Sequence, residues 1–156
     1  MKRLISAVAV AASLAAWTPP ANAASEAECS IWLCLPGGFP LGCAAAFSAF
    51  ISRVTHIPPK PPLPAWGSCA VDSGDGMGAS DGIAAFVPEQ RICTKTTGKN
   101  DRCIAWETIP AHYVKGSPCT RGKDNYSNPP GCTATFMYVD VFDADGNQIG
   151  DTYYWK

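Results

Sequence analysis

Eight cysteines constrain this 156-residue chain more than any other feature of its sequence. An even cysteine count in a small chain is typical of exported domains, in which disulfides stabilise a core that is small for its surface. No Cys-x-x-Cys pair occurs and the chain has only two histidines, which argues against a zinc ribbon or a thioredoxin-type centre. The sequence therefore predicts structural disulfides that use all eight residues: Cys29, Cys34, Cys43, Cys69, Cys93, Cys103, Cys119 and Cys132.

Roughly a hundred pairings of eight cysteines exist, but local geometry ranks them. If residues 29–34 are helical, the thiols of Cys29 and Cys34 point about 140° apart and take different partners. Cys34 and Cys43 flank a tight reversal, and Cys29 can meet Cys69 where the chain returns. In the second half of the chain, pairing each cysteine with its nearest neighbour gives Cys93–Cys103 and Cys119–Cys132. These two bonds complete a hypothesis of four disulfides.

The first 23 residues have the three parts of a cleavable export signal. Lys2 and Arg3 are basic, residues 4–17 carry no charge, and Ala21-Asn22-Ala23 fits the small-x-small cleavage rule. A retained membrane anchor is the alternative, but the apolar run is short and Pro19-Pro20 interrupts it. Removing Lys2 and Arg3 leaves ten of the 12 basic residues against 13 acidic ones, a net charge of −3. We therefore expect a periplasmic product, residues 24–156, that neither inserts stably in the membrane nor binds nucleic acid through a basic surface.

The mature part reads as one disulfide-stapled domain with a helical, cysteine-rich segment at 24–69 and a loop-rich segment at 70–156. A short helix or turn is predicted at 28–35, and Pro36 to Pro40 forces a reversal. Apolar residues at helical spacing predict a helix that ends before Pro58 and buries one face: Cys43, Phe47, Phe50, Ile51 and Val54.

Three further segments complete the predicted α+β, disulfide-rich fold. Five prolines between residues 57 and 64 predict an extended strap across the domain, with a docking peptide for an aromatic groove as the alternative. Four glycines and three aspartates within 70–90 predict a flexible surface loop, with a short buried segment at 82–88. Residues 133–142 are rich in β-branched and aromatic side chains that alternate between two faces. With a turn at 143–147 and a returning strand at 148–155, they predict a C-terminal antiparallel hairpin.

The sequence offers little catalytic or cofactor chemistry. His112 could serve as a base, but no nucleophile motif accompanies it, so a half-buried structural histidine is favoured. Asp143, Asp145 and Asn147 resemble the start of a calcium loop, but Gln148 and the later position 154 do not fit one, so a hairpin turn is favoured. Carboxylate pairs of a glycosidase cannot be recognised from spacing. We predict no catalytic, cofactor-binding or metal-binding residue, and no enzyme.

Aromatic residues are numerous for a chain of this size, with five Trp, five Tyr and six Phe. They can supply core area, or they can form a surface that binds a protein partner. Both interpretations stay open for six residues: Trp32, Phe39, Tyr138, Tyr153, Tyr154 and Trp155.

One run of the sequence, CSIWLCLPGGFPLGC at residues 29–43, is distinctive. Together with the following Ala-rich helix, the Pro-Pro-Leu-Pro strap and Cys69, it resembles the TrbM/KikA/MpfK group of conjugal transfer proteins. These are small exported proteins of the mating-pair-formation clusters of Gram-negative conjugative elements. The resemblance covers residues 29–69.

The resemblance implies an accessory of a type IV secretion apparatus that contacts other periplasmic components, and it implies no catalytic residue. The expected contact faces are the helix at 43–55 and the hairpin at 133–155. Two other classes of function remain as alternatives. One is an exported enzyme or toxin that acts on the envelope, and the other is a secreted binding or inhibitor module unrelated to transfer.

Overall fold

A computed structural model describes residues 23–70, 76–98, 101–122 and 126–156. Of the predicted export signal, only Ala23 lies within the described residues, and residues 71–75 of the predicted Gly-rich loop lie outside them. The rest forms the predicted α+β, disulfide-rich fold, with short helices preceding antiparallel sheets. Among the described residues, no helix has the length and apolar character needed to cross a membrane.

The N-terminal half is helical. Helix α1 spans Glu26–Cys29 and helix α2 spans Ile31–Cys34, which continues into a 3-10 turn at Leu35–Gly37. Ser25 begins α1 with a capping box, because its hydroxyl accepts from the Glu28 backbone while the Glu28 carboxylate accepts from the Ser25 backbone. Helix α3 spans Ala44–Val54, and a second 3-10 turn at Trp66–Ser68 ends the proline-rich segment.

The described residues of the C-terminal half form eight strands in three antiparallel sheets. The main sheet has the order β4-β1-β7-β8, and two separate ribbons pair β2 with β3 and β5 with β6. The strand bounds are Gly78–Val87 (β1), Gln90–Thr97 (β2), Arg102–Ile109 (β3), His112–Lys115 (β4), Thr120–Arg121 (β5), Ser127–Asn128 (β6), Ala134–Phe142 (β7) and Tyr153–Trp155 (β8).

The helices pack on one face of the main sheet and form the larger core. Val139 and Val141 of β7 meet Ile31, Leu35 and Phe50, and all five are almost fully buried. The predicted face of α3 is only partly right. Phe50 is buried as expected, but the other most buried residue of α3 is Ala46, whereas the predicted core residues Phe47 and Ile51 are partly exposed. Ala46 lies in the same buried cluster as Ile31 and Trp32 of α2, so the face of α3 that meets the core contains residues 46 and 50, and Phe47 and Ile51 lie at its margin.

All four predicted disulfides are present. Cys29–Cys69 and Cys34–Cys43 staple the helical half, and Cys93–Cys103 and Cys119–Cys132 lie in the sheet half. No free cysteine occurs in the described part of the chain. Four disulfides indicate that the protein matures in an oxidising compartment outside the cytosol.

The predicted flexible loop is wrong at residues 78–87, because these residues form β1, which pairs with both β4 and β7. The predicted buried segment at 82–88 overlaps this strand, in which Ala84, Ala85 and Val87 are buried. Glycine serves packing here and not mobility. A Cβ at Gly82 would lie 3.1 Å from Cε1 of Tyr138, and a Cβ at Gly76 would overlap the Trp66 ring. The predicted loop-rich segment also contains the β2–β3 ribbon, which the sequence analysis missed.

Candidate interaction surfaces

The C-terminal hairpin divides the predicted aromatic residues between two faces. Strands β7 and β8 pair Met137 with Trp155, Tyr138 with Tyr154, and Val139 with Tyr153. Because directly opposed residues share a face, Tyr153 and Trp155 point toward the helices, and the Tyr138–Tyr154 pair points away from them.

The inward-facing aromatics belong to the core. The Phe50 ring lies 5.4 Å from Tyr153 and 5.2 Å from Trp155, and Phe39 lies 5.2 Å from Tyr153 between ring centroids. Trp32 is 4% exposed and packs edge-on against Trp66 at 5.3 Å. Burial favours the core interpretation for Trp32, and partial burial of Phe39, Tyr153 and Trp155 against the same core favours it for these residues.

The outward-facing aromatics form a layer over the main sheet, which we call the outer aromatic face: Phe86, Tyr113, Phe136, Tyr138 and Tyr154. Tyr113 and Tyr154 come from opposite edge strands, yet their rings stack with centroids 3.6 Å apart. The rings can meet because Gly82 and Ala84 of β1, which lie on the same face of the sheet, have small side chains that leave space for them. Burial raises the pKa of the Tyr113 hydroxyl, and the neighbouring Tyr154 adds to the increase.

A buried polar cluster borders the outer aromatic face. The Asp140 carboxylate, 5% exposed, accepts hydrogen bonds from the Lys115 ammonium at 2.7 and 2.8 Å, from the Gln148 amide and from the Thr152 hydroxyl. The same ammonium lies 5.0 Å from the centre of the Tyr138 ring. These contacts join β4, β7 and the segment before β8, so the cluster holds the sheet together and offers no free reactive group.

The Cys34–Cys43 disulfide closes a loop that projects an apolar side chain into solvent. Gly38 and Phe39 both adopt positive φ, 69° and 58°, and turn the chain so that Leu41 is fully exposed. Behind Leu41, an open groove of about 460 Å³ is lined by the loop together with Phe39, Phe47 and Tyr153. The Phe39 and Phe47 rings lie 5.2 Å apart edge to face, which fixes one wall of this loop groove.

Arg53 fastens the proline-rich segment to α3. Its guanidinium donates to the carbonyl oxygens of Pro61 at 3.0 Å and Leu63 at 3.1 Å, and forms an ion pair with Glu28 at 2.6 Å. The Arg53 hydrogen bond is the main cause that lowers the pKa of the Glu28 carboxyl. Since Leu63 is also buried, the segment is held against the domain, which supports a strap over a free docking peptide.

The residues weighed for catalysis or metal binding make contacts within their own turns. The prediction of a half-buried His112 is wrong, because the residue is exposed at the start of β4, and its Nδ1 atom lies 3.0 Å from the Pro110 carbonyl oxygen. The Asp143 carboxylate accepts from the backbones of Asp145 and Asn147 and from the Asn147 amide, and the Asn147 backbone bond is the main cause that lowers the Asp143 pKa. These bonds close the predicted hairpin turn. Within the described ranges, no group of three or more His, Cys, Asp or Glu residues is arranged to hold a metal ion.

The β2–β3 ribbon presents a surface that is not among the predicted contact faces. Trp106 is 55% exposed and Ile104 is 51% exposed, and the Arg91 guanidinium lies 5.4 Å from the centre of the Trp106 ring. A signal for this ribbon exists in the sequence. Residues 90–97 and 102–109 are rich in Ile and Thr, and the Gly-Lys-Asn-Asp run at 98–101 is a typical turn between them.

Comparison with models of protein families, with curated proteins and with solved structures gave no match for this chain.

Proposed function

We propose that this protein is an exported accessory of a bacterial conjugative transfer apparatus, a type IV secretion system, and that it acts by protein contact in the periplasm. The proposal rests first on the resemblance of residues 29–69 to the TrbM/KikA/MpfK group. It also draws on the disulfide content, which indicates an oxidising compartment. The finer points, cleavage of a signal over residues 1–23 and residence in the periplasm, are part of the proposal.

The observation that carries most weight is the loop groove within the segment of resemblance. Residues 29–69 comprise the helices, the loop and the strap, and two disulfides close within this segment. Leu41 at the loop tip is fully exposed, and Phe47 beside it is 41% exposed. Exposed apolar side chains on a rigid frame favour binding to a partner, because little conformational entropy is lost on association.

The loop groove thus becomes the proposed main contact surface, and the partner is another periplasmic component of the transfer apparatus. The outer aromatic face, where Tyr138 and Tyr154 lie, is a second surface on the same domain. Aromatic residues are enriched in the buried centres of protein interfaces. The proposal assigns no catalytic residue.

Mating frequency tests this proposal. The gene is deleted in frame from the conjugative donor that carries it, and complementing copies are supplied with and without residues 1–23. We expect the deletion to lower transfer and only the copy with residues 1–23 to restore it. Unchanged transfer from the deletion strain would refute the proposed role. Lysis on expression of the exported copy, lost in a His112→Ala variant, would instead favour an envelope-acting enzyme or toxin.

A further inference from the structure

The Cys93–Cys103 bond differs from the other disulfides in its exposure. Cys93 is exposed, whereas every other cysteine is buried or half-buried. Neither Cys93 nor Cys103 belongs to a buried cluster of the described residues. Each of the other bonds has a cysteine in or against such a cluster: Cys34, Cys69 and Cys132. Because a thiolate has to reach the sulfur that it attacks, the Cys93–Cys103 bond is the most open to exchange.

Positive charge surrounds the same bond in the sequence. Three cations and one carboxylate lie within two residues of its cysteines: Arg91, Lys95, Arg102 and Asp101. The three cationic residues are exposed. The same range around the other six cysteines contains one cation and one carboxylate, Arg121 and Glu28. Positive charge attracts an attacking thiolate and stabilises the thiolate that leaves, and both effects speed exchange.

The β2–β3 ribbon that this bond closes lies outside the main sheet. In the described part of the chain, β2 and β3 pair only with each other, and their ladder skips Thr94 and Ile104, one residue on each strand beside the disulfide. A ribbon of two strands is only marginally stable in water. Breaking the Cys93–Cys103 bond therefore frees the ribbon to open locally while the rest of the domain stays folded.

We propose that Cys93–Cys103 is a thiol–disulfide exchange site for a dithiol reductant, and that its reduction releases the β2–β3 ribbon while the other disulfides persist. One thiolate of the reductant attacks Sγ of the exposed Cys93, the Cys93–Cys103 bond breaks, and Cys103 leaves as a thiolate that takes a proton from water. The second thiolate of the reductant then attacks the reductant's own sulfur in the mixed disulfide. Cys93 leaves and is protonated, and the reductant departs as a disulfide, so two electrons and two protons pass to the protein.

Reduction changes one surface of the protein without unfolding the domain. On the oxidised ribbon, Ile104 and Trp106 are more than half exposed, and the Arg91 guanidinium lies against the Trp106 ring. These side chains lose their fixed arrangement when the ribbon opens, so the oxidised and reduced proteins present different surfaces. This inference concerns a site separate from the loop groove and does not depend on the role in conjugal transfer.

Dithiothreitol, a small dithiol, tests the site on the purified protein with all its disulfides formed. Samples taken over time are quenched with N-ethylmaleimide, and the labelled cysteines are mapped by mass spectrometry of peptides. We expect Cys93 and Cys103 to be labelled at least about tenfold faster than any other pair, because access and charge both favour attack there. Amide hydrogen exchange of this first reduced species should show protection lost in β2 and β3 and kept in β1 and β7.

Charge variants test the electrostatic part of the argument. Lys95→Gln with Arg102→Gln removes two of the neighbouring cations and should slow reduction of the Cys93–Cys103 bond about threefold at low ionic strength, with a smaller effect in high salt. Lys60→Gln is the matched control, because it removes an exposed cation of the proline-rich segment, and it should leave the rate unchanged.

Four results would overturn the proposal. The first is faster reduction of another disulfide, and the second is simultaneous labelling of all the cysteines, which would mean that the bonds break only when the whole domain unfolds. The third is a reduced protein that keeps its amide protection in β2 and β3. The fourth is an equal reduction rate in the Lys95→Gln, Arg102→Gln variant and the Lys60→Gln control.

Discussion

Two matched disulfide deletions should have very different effects on stability. The Cys29–Cys69 bond closes a sequence separation of 40, and the Cys93–Cys103 bond closes a separation of 10. Loop-closure entropy in the unfolded chain gives about 4 kcal/mol for the first bond and about 3 kcal/mol for the second. From loop-closure entropy alone, the free energies of unfolding lost by the two double variants would differ by only about 1 kcal/mol. These variants are Cys29→Ser with Cys69→Ser, and Cys93→Ser with Cys103→Ser.

The structure changes this expectation for the ribbon. Cys69 is partly buried against the larger core and Cys29 is half-buried in α1, so we expect the native state to stay ordered when their bond is absent and the stability to fall by the full amount of about 4 kcal/mol. The β2–β3 ribbon pairs with no other described strand. Without the Cys93–Cys103 bond, the ribbon can unfold locally while the rest of the domain stays folded. Removing the bond then raises the conformational entropy of the native state almost as much as that of the unfolded state, so the two effects largely cancel. We therefore expect a loss of less than about 1 kcal/mol in the free energy of global unfolding.

Urea unfolding followed by far-ultraviolet circular dichroism measures both free energies, and amide hydrogen exchange locates the change. The Cys93→Ser, Cys103→Ser variant should lose protection only within β2 and β3. A loss of global stability equal to that of the Cys29→Ser, Cys69→Ser variant would refute the claim that the β2–β3 ribbon unfolds independently of the rest of the domain.

Two further substitutions test the ionic contacts. Lys115→Met removes the cationic partner of the buried Asp140 carboxylate, and we expect a loss of about 2 kcal/mol in urea unfolding, below the full cost for a buried pair because the Lys115 side chain is 37% exposed. A loss below experimental error would contradict this. Arg53→Gln should destabilise the protein at neutral pH by releasing Glu28 and the strap. Because the native state lowers the Glu28 pKa, the ion pair contributes stability above about pH 4.5 and this contribution is lost at lower pH. The difference between the two unfolding free energies should therefore narrow in acid to the part that the hydrogen bonds from Arg53 to the strap contribute. A gap that stays constant down to pH 2 would show that the strap contacts alone matter.

The parts of the fold that the sequence predicts are those with a strong local signal. The disulfide pairs follow from the geometry of a helix and from short loops, and all four are present. The C-terminal hairpin follows from the β-branched and aromatic residues that precede the turn at Asp143 to Asn147. Its return strand, predicted over 148–155, is only Tyr153–Trp155. Between Gln148 and Tyr153 the chain leaves its ladder with β7, and Gly150 there lies against the Pro36 carbonyl. This is a tertiary contact that the local sequence pattern does not reveal.

The predictions that the structure contradicts share one physical cause, which is packing between segments that are distant in the sequence. Gly78 and Gly82 resemble loop residues locally, but glycine at residue 82 makes room for a tyrosine ring from β7. The β2–β3 ribbon is exposed on both faces and so lacks the apolar alternation of a strand packed on a core. On α3, helical spacing finds Phe50 and cannot decide how far the helix is rotated about its axis.

Of the candidate surfaces, the sequence predicts the hairpin but does not predict which of its faces is exposed, and it does not predict the loop groove. The abundance of aromatic residues pointed to the C-terminal hairpin, and strand alternation alone places Tyr153 and Tyr154 on opposite faces. Which of the two faces the helices cover is decided by packing around Phe50. The loop groove was not foreseen, because exposure of Leu41 depends on the positive φ of Gly38 and Phe39.

The most direct test of the proposed contact role is mating frequency from a deletion donor complemented with a Leu41→Asp, Phe47→Asp copy. Ile57→Asp is the matched control, since Ile57 is equally apolar, 92% exposed and outside the groove. At equal amounts of oxidised protein in the periplasm, we predict that the groove variant lowers transfer at least about tenfold and the control does not. Full transfer by the groove variant would contradict the claim that this surface binds the apparatus.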